Sequence, residues 1–300
     1  MAFSSTRAMI SDSGGGGSLK ALFGYGADSG NLSMTNLVSD TGVVATDTTG
    51  VGTARKGLAA AEYGVGRALF GYGTTGSNVS MTNLVNTTGV VATDTTGVGT
   101  ARQVLAAGAY NTGKALFGYG YDGGNISATN LVNASGVVAS DTSGVGTARR
   151  ELACAEYSTG KAIFGYGNTG SVVSVTNLVS TSGVVAADTT GVGTNRSTLA
   201  AAEYSTGKAI FGYGTTGSNV SITNLVSTSG VVAADTTGVG TARNWLAAAE
   251  YGVGKAIFGY GTTGSNVSMT NLVNTLGVVA TDTTGVGTDR RGLAAASYGI

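Results

Sequence analysis

The residues with the chemistry to act come in sixes. Asp47, Asp94, Asp141, Asp188, Asp235 and Asp282 stand 47 residues apart, as do Arg55, Arg102, Arg149, Arg196, Arg243 and Arg290. Arg55 follows Asp47 by eight residues across a Gly-containing connection. At that spacing the two can pair or cap loop amides, and either role is structural. The aspartate in Asp-Thr-Thr-Gly-Val-Gly also invites calcium, but that ion takes about six to eight oxygens and usually several carboxylates. Glu62, Glu156, Glu203 and Glu250 recur at one place, where Ala109 and Ser297 stand in other copies. A catalytic carboxylate pair needs two different environments, and a repeated acid supplies only one. Histidine is absent, which removes the commonest general base and transition-metal ligand. Gly71–Ser77 is glycine-rich, yet lacks the Gly-Lys-Ser/Thr that opens a helix in a phosphate loop. Cys154 is the only cysteine; it forms no intrachain disulfide and reads as a small buried residue. Asn-x-Ser/Thr runs such as Asn78-Val79-Ser80 are expected by chance in so Ser- and Thr-rich a chain. No enzyme activity, cofactor or metal is expected.

Other residues break the repeat. Tyr121, Asp122, Asn125, Arg150, Glu151, Trp245, Arg291 and Asp28 are read as departures from their copies. Tyr121 and Asp122 fall in a turn, and Trp245 adjoins an alanine-rich run. Exposed aromatics anchor interfaces, so Tyr121, Asp122, Asn125 and Trp245 are candidate contacts for a ligand or partner. Drift between duplicated copies is the competing explanation.

The elements that position these residues follow from the repeat. Phe-Gly-Tyr-Gly begins at Phe23, Phe70, Phe117, Phe164, Phe211 and Phe258, without one insertion or deletion. Gly and Asn divide a copy into four runs: Leu58–Tyr63, Arg67–Gly73, Asn78–Asn86 and Gly89–Thr95. Val, Ile, Thr, Phe and Tyr dominate them, as strands prefer, and none is long enough for a stable helix. Four short strands in each 47-residue copy is the pattern of a propeller blade. The expectation is all-β: a six-bladed β-propeller over residues 20–300, preceded by an N-terminal arm, residues 1–19, with a flexible hinge at Gly14–Gly17. Leu293–Ile300 is an orphan first strand and is expected to close the ring beside Lys20. Ala8–Ser13 is the competitor for that place.

Composition narrows function. The 16 basic and 16 acidic residues cancel, which leaves no electrostatic footprint for nucleic acid or an anionic membrane. Hydrophobic residues make up 42% of the chain and recur in register, unlike a disordered chain. Met1–Ser13 lacks the apolar core of a secretory signal. No run approaches the ~20 apolar residues of a membrane helix.

Arg243, Leu246–Ala249 and Lys255–Gly261 resemble the order of a kelch repeat: an Arg, a small-residue inner strand, then a second strand ending in glycines. Gly259-Tyr260-Gly261 stands for the kelch Gly pair, and Trp245 does not occupy the kelch Trp place. RCC1-type blades are a second resemblance. The wording around Thr223–Arg243 and Lys255–Gly261 is similar to uncharacterised repeat proteins of tailed bacteriophages. That likeness implies a virion fibre, decoration or host-recognition protein, with host glycans as candidate ligands and the arm as attachment to other virion proteins. A cytoplasmic interaction scaffold and a polysaccharide hydrolase or lyase are the alternatives.

Overall fold

A computed structural model describes residues 18–299. Over this span the chain is all-β, with eighteen strands in six antiparallel sheets and no helix. β1 (Lys20–Gly24) and β2 (Thr35–Val38) open the first sheet. The second holds β3 (Ala59–Tyr63), β4 (Arg67–Gly71) and β5 (Thr82–Val85), and the third β6 (Ala106–Tyr110), β7 (Lys114–Tyr121) and β8 (Asn125–Val132). The fourth holds β9 (Ala153–Tyr157), β10 (Lys161–Gly165) and β11 (Thr176–Val179), and the fifth β12 (Ala200–Tyr204), β13 (Lys208–Gly212) and β14 (Thr223–Val226). The sixth holds β15 (Ala247–Tyr251), β16 (Lys255–Gly259) and β17 (Thr270–Val273). β18 (Ala294–Tyr298) returns to the first sheet and pairs antiparallel with β1, Lys20 facing Tyr298 and Gly24 facing Ala294. The competing segment Ala8–Ser13, and the arm to Gly17, lie outside the described residues. The arrangement is compatible with a six-bladed propeller.

Each sheet has three strands, not the expected four. The run Gly89–Thr95 makes only two bridges, Val85 to Val91 and Thr82 to Thr95. The outer run carries one residue more than β5 between those bridges, a bulge that breaks the ladder. The Asn83 side chain also intervenes: its Nδ2 donates to the Ala92 carbonyl at 3.0 Å, taking an acceptor a strand would use.

The core lies between sheets. In β3, Ala59, Ala61 and Tyr63 are buried and alternate with half-exposed Ala60 and Glu62. The second strands are buried along nearly their whole length. Phe-Gly-Tyr-Gly is the joint. A β-carbon on Gly24 would stand 2.5 Å from Cζ of Phe70, so that glycine admits the aromatic ring of the next sheet. Tyr25 then meets Phe70 at 5.0 Å between ring centroids. The pattern repeats at all six junctions, 4.9–5.2 Å apart, including Tyr260 of the sixth sheet with Phe23 of the first. Such pairs add about 0.5–1.5 kcal/mol beyond their buried area.

One junction is altered on both sides. Gly108 replaces an alanine found in the other five copies, and Cys154 replaces an alanine in the next copy. A β-carbon on Gly108 would lie 2.5 Å from the Cys154 sulfur. The larger residue fits because its neighbour is smaller. Burial pushes the Cys154 thiol far above its ordinary value, as expected of an inert packing residue.

Candidate functional site

The twelve repeated Asp and Arg residues are brought together, but not within the eight-residue spacing. Asp47 pairs with Arg290, and Arg55 with Asp94, at 3.8 Å each. The Asp lies on the outer run of one sheet, and the following Arg already belongs to the next sheet. The Arg side chains are fully buried. Arg55 Nε donates to the Tyr72 carbonyl at 2.8 Å, Nη1 to the Thr53 carbonyl at 3.1 Å and Nη2 to Asn83 Oδ1 at 2.7 Å. Asn83 passes the link to Asp94 Oδ1 at 2.9 Å, and Asp94 Oδ2 accepts from the Thr53 hydroxyl at 2.6 Å. The guanidinium also lies 4.4 Å over the Tyr25 ring of the previous sheet, a cation–π contact. Arg102, Arg149, Arg243, Arg290 and their Asp141, Asp188, Asp282 and Asp47 partners repeat the network. Arg196 and Asp235 do so incompletely: Arg196 Nη2 and Asn224 Oδ1 are buried without a partner.

Electrostatics follow from these contacts. Partial burial pushes the Asp94 pKa up, but the Thr53 hydroxyl, the Asn83 amide, the Thr53 N–H and Arg55 outweigh it and leave the carboxyl below its ordinary value. Burial lowers Arg55, opposed by Tyr25 and Asp94. Burial raises Tyr25 from 10.0 to about 12. These groups are engaged with one another. The repeated glutamates are also engaged: Glu156, Glu203 and Glu250 Oε1 accept the N–H of Gly160, Gly207 and Gly254, each four residues on. Among the described residues no three His, Cys, Asp or Glu side chains gather to hold a metal ion. No described helix is long and apolar enough to cross a membrane.

A different set of residues, one from each sheet, is brought together. Gly57, Val104, Glu151, Thr198, Trp245 and Gly292 each precede a first strand. The N–H of each donates to the carbonyl of its counterpart in the copy before, at 2.7–3.0 Å, and Gly57 donates to Gly292. The six bonds form a cycle of backbone around a mouth of about 80 Å3, lined by these residues and the leucines that follow them. At the other end of the first strands a second cycle runs through the hairpin turns, as in Gly64 N–H to the Gly113 carbonyl at 2.8 Å and Gly299 N–H to the Gly66 carbonyl at 3.0 Å.

The mouth is where the copies differ most. The place held by Gly57 has five residue types in six copies. So has the place before it: Lys56, Gln103, Arg150, Ser197, Asn244 and Arg291. Thr74, Tyr121, Asn168, Thr215, Thr262 and Ala27 show four types, and each bridges the Lys56-type residue of its own sheet. Positions 18 residues apart in the chain therefore form one variable surface. Exposure alone does not explain this. Val43, Val90, Val137, Val184, Val231 and Val278, at the hairpin end, are 57–66% exposed and never change.

Two of the four sequence candidates, Trp245 and Tyr121, fall on that surface, and Asp122 follows Tyr121 in the chain. Trp245 lines the mouth. Tyr121 lies under Arg150, whose guanidinium is 4.9 Å from its ring, and Arg150 Nε stands 3.5 Å from Glu151. Asp122 is exposed and accepts the Gly124 N–H at 3.2 Å. Asn125 is corrected: it matches Asn31, Asn78, Asn219 and Asn266 rather than departing from them. Its Nδ2 donates to the Asn168 carbonyl of the next sheet at 3.2 Å, as Asn78 does to the Tyr121 carbonyl. No protein-family model matches the chain, and no curated protein is significantly similar to it.

Proposed function

We propose that the six sheets are the blades of a closed β-propeller, kelch-like in architecture, acting as a non-catalytic recognition protein of a virion or surface structure. The convergence of the variable residues on one end of the axis carries this reading. A frame repeated almost without change holds the ring, while one face differs from blade to blade, as recognition of an asymmetric ligand requires. The repeated charges support it, because each is spent on holding blades together. Glu156 and Glu203 bracket hairpin turns, which weighs against a hydrolase or lyase. Glycans are the ligand class we favour, since the face combines aromatic, amide and hydroxyl side chains. The arm of residues 1–19 is assigned to attachment.

Two measurements test this. The purified chain is screened on a glycan array, and phage particles propagated on the producing cells are probed for it. Binding to a defined glycan set and co-purification with particles are expected. A blank array together with exclusive recovery in a cellular protein complex would replace this reading with an intracellular scaffold.

A further inference from the structure

Four side chains stand around the axial mouth on backbone that resists them. Val104, Glu151, Thr198 and Trp245 hold φ between 51° and 59°. This left-handed region costs a non-glycine residue about 1–2 kcal/mol, and β-branched residues fit it worst. Glycine avoids the cost, and Gly57 and Gly292 have taken that route. The six buried tyrosines of Phe-Gly-Tyr-Gly hold the same region at φ 62–65°, but they are one residue type locked in the frame, whereas these four differ from copy to copy at the mouth. Strained side chains of this kind cluster where a ligand is held.

The four are consecutive in the hydrogen-bonded cycle, so the mouth is walled on one side and notched on the other. The notch is formed by Gly57 and Gly292, flanked by exposed Lys56 and Arg291. Trp245 borders it: Cε3 of the indole lies 3.7 Å from where a β-carbon on Gly292 would stand. Glu151 lies three places round the cycle from Gly292. Its carboxylate is held by Arg150 Nε at 3.5 Å and by the Ser197 hydroxyl at 3.0 Å. The mouth thus offers an aromatic surface, an oriented acceptor and two cations beside a gap.

We propose that this notch binds a sugar residue bearing a carboxylate, an inference that rests on the glycan-recognition reading above. The indole takes the apolar C–H face of the pyranose, Glu151 accepts from a ring hydroxyl, and Lys56 and Arg291 meet the sugar carboxylate. A mouth of about 80 Å3 does not engulf a pyranose. The sugar therefore lies on the rim with one edge inserted, which suits the terminal residue of a chain.

Trp245 is the only tryptophan, so its emission reports on this mouth alone. The full chain is titrated with sodium glucuronate and, in parallel, with uncharged methyl glucoside. A saturable emission change is expected for glucuronate, with binding weaker by about tenfold or more for the neutral sugar. Lys56→Ala with Arg291→Ala should abolish the discrimination, and Glu151→Gln should weaken both sugars. No emission change with glucuronate, or an equal response to both sugars, would overturn the inference. Trp245→Gly supplies the second arm, because glycine relieves the backbone at a place where two copies already carry it. On a glycan array, acidic glycans captured by the wild type and lost by Trp245→Gly support the notch. Equal capture by both proteins removes the notch and leaves glycan recognition standing, whereas a blank array for both removes glycan recognition as well.

Discussion

Gly108 and Cys154 form a compensated pair whose energetics can be worked through. Gly108→Ala places a β-carbon 2.5 Å from the Cys154 sulfur, with Ala162 Cβ at 3.7 Å behind. Overpacking of this kind costs about 1–3 kcal/mol, against about 0.5–1 kcal/mol that alanine gains over glycine within a strand. The single variant should be destabilised by about 1–2 kcal/mol. Cys154→Ala removes one buried sulfur and should cost about 1 kcal/mol. The double variant restores the Ala–Ala contact of the other five junctions and should match or exceed the wild type. The coupling between the sites is then about 2–3 kcal/mol or more. Urea unfolding followed by far-ultraviolet circular dichroism measures all four proteins. If Gly108→Ala carries the same penalty with Cys154 and with Ala at 154, the packing argument is wrong.

Arg149→Met should lower stability by about 3–5 kcal/mol, because it strands buried partners. Arg196→Met, whose Nη2 already lacks its Asn224 bond, should cost about 1 kcal/mol less, and equal urea midpoints would contradict this. Tyr25, Tyr72, Tyr119, Tyr213 and Tyr260 are raised from 10.0 to about 12 by burial. The folded value exceeds the unfolded one, so their contribution is complete below pH 10.0 and is lost as pH climbs through about 12. Alkaline urea titrations should show that decline, and Tyr72→Phe should make it shallower. A β-carbon on Gly57 would meet nothing nearer than 3.4 Å, so the cost of Gly57→Ala is conformational, about 1–2 kcal/mol, measurable as a lower urea midpoint.

Much of the frame was legible because periodicity is a long-range constraint written locally. The 47-residue step gave six units, the Gly and Asn punctuation placed three of four strands, and Leu293–Ile300 was recognisable as a strand in search of Lys20. The outer run misled because its Val and Thr content is strand-like, while its pairing is broken by a buried Asn side chain. The Asp47–Arg55 spacing misled because the chain crosses from one sheet to the next between them, so the partner of Asp47 is 243 residues away. Asn125 is shared with four other copies, and it is its neighbour Ile126 that no other copy carries. Trp245, Arg150, Glu151 and Tyr121 stood out individually. Their assembly on one surface depends on the Gln103–Tyr121 type of bridge, and the 18-residue offset gives no hint of it.

The pairing of β18 with β1 makes the fold a gauge of chain length. A polypeptide released before Ala294 leaves the edge of Lys20–Gly24 unpaired, and it also lacks the Gly292 amide and carbonyl that complete the backbone cycle if it stops a few residues sooner. Both losses fall on the same sheet, so a truncated product presents a bare strand edge of the kind that recruits other chains. A chain that includes β18 hides that edge. Termination ahead of β18 is thereby converted into a visible difference between sticky and inert particles.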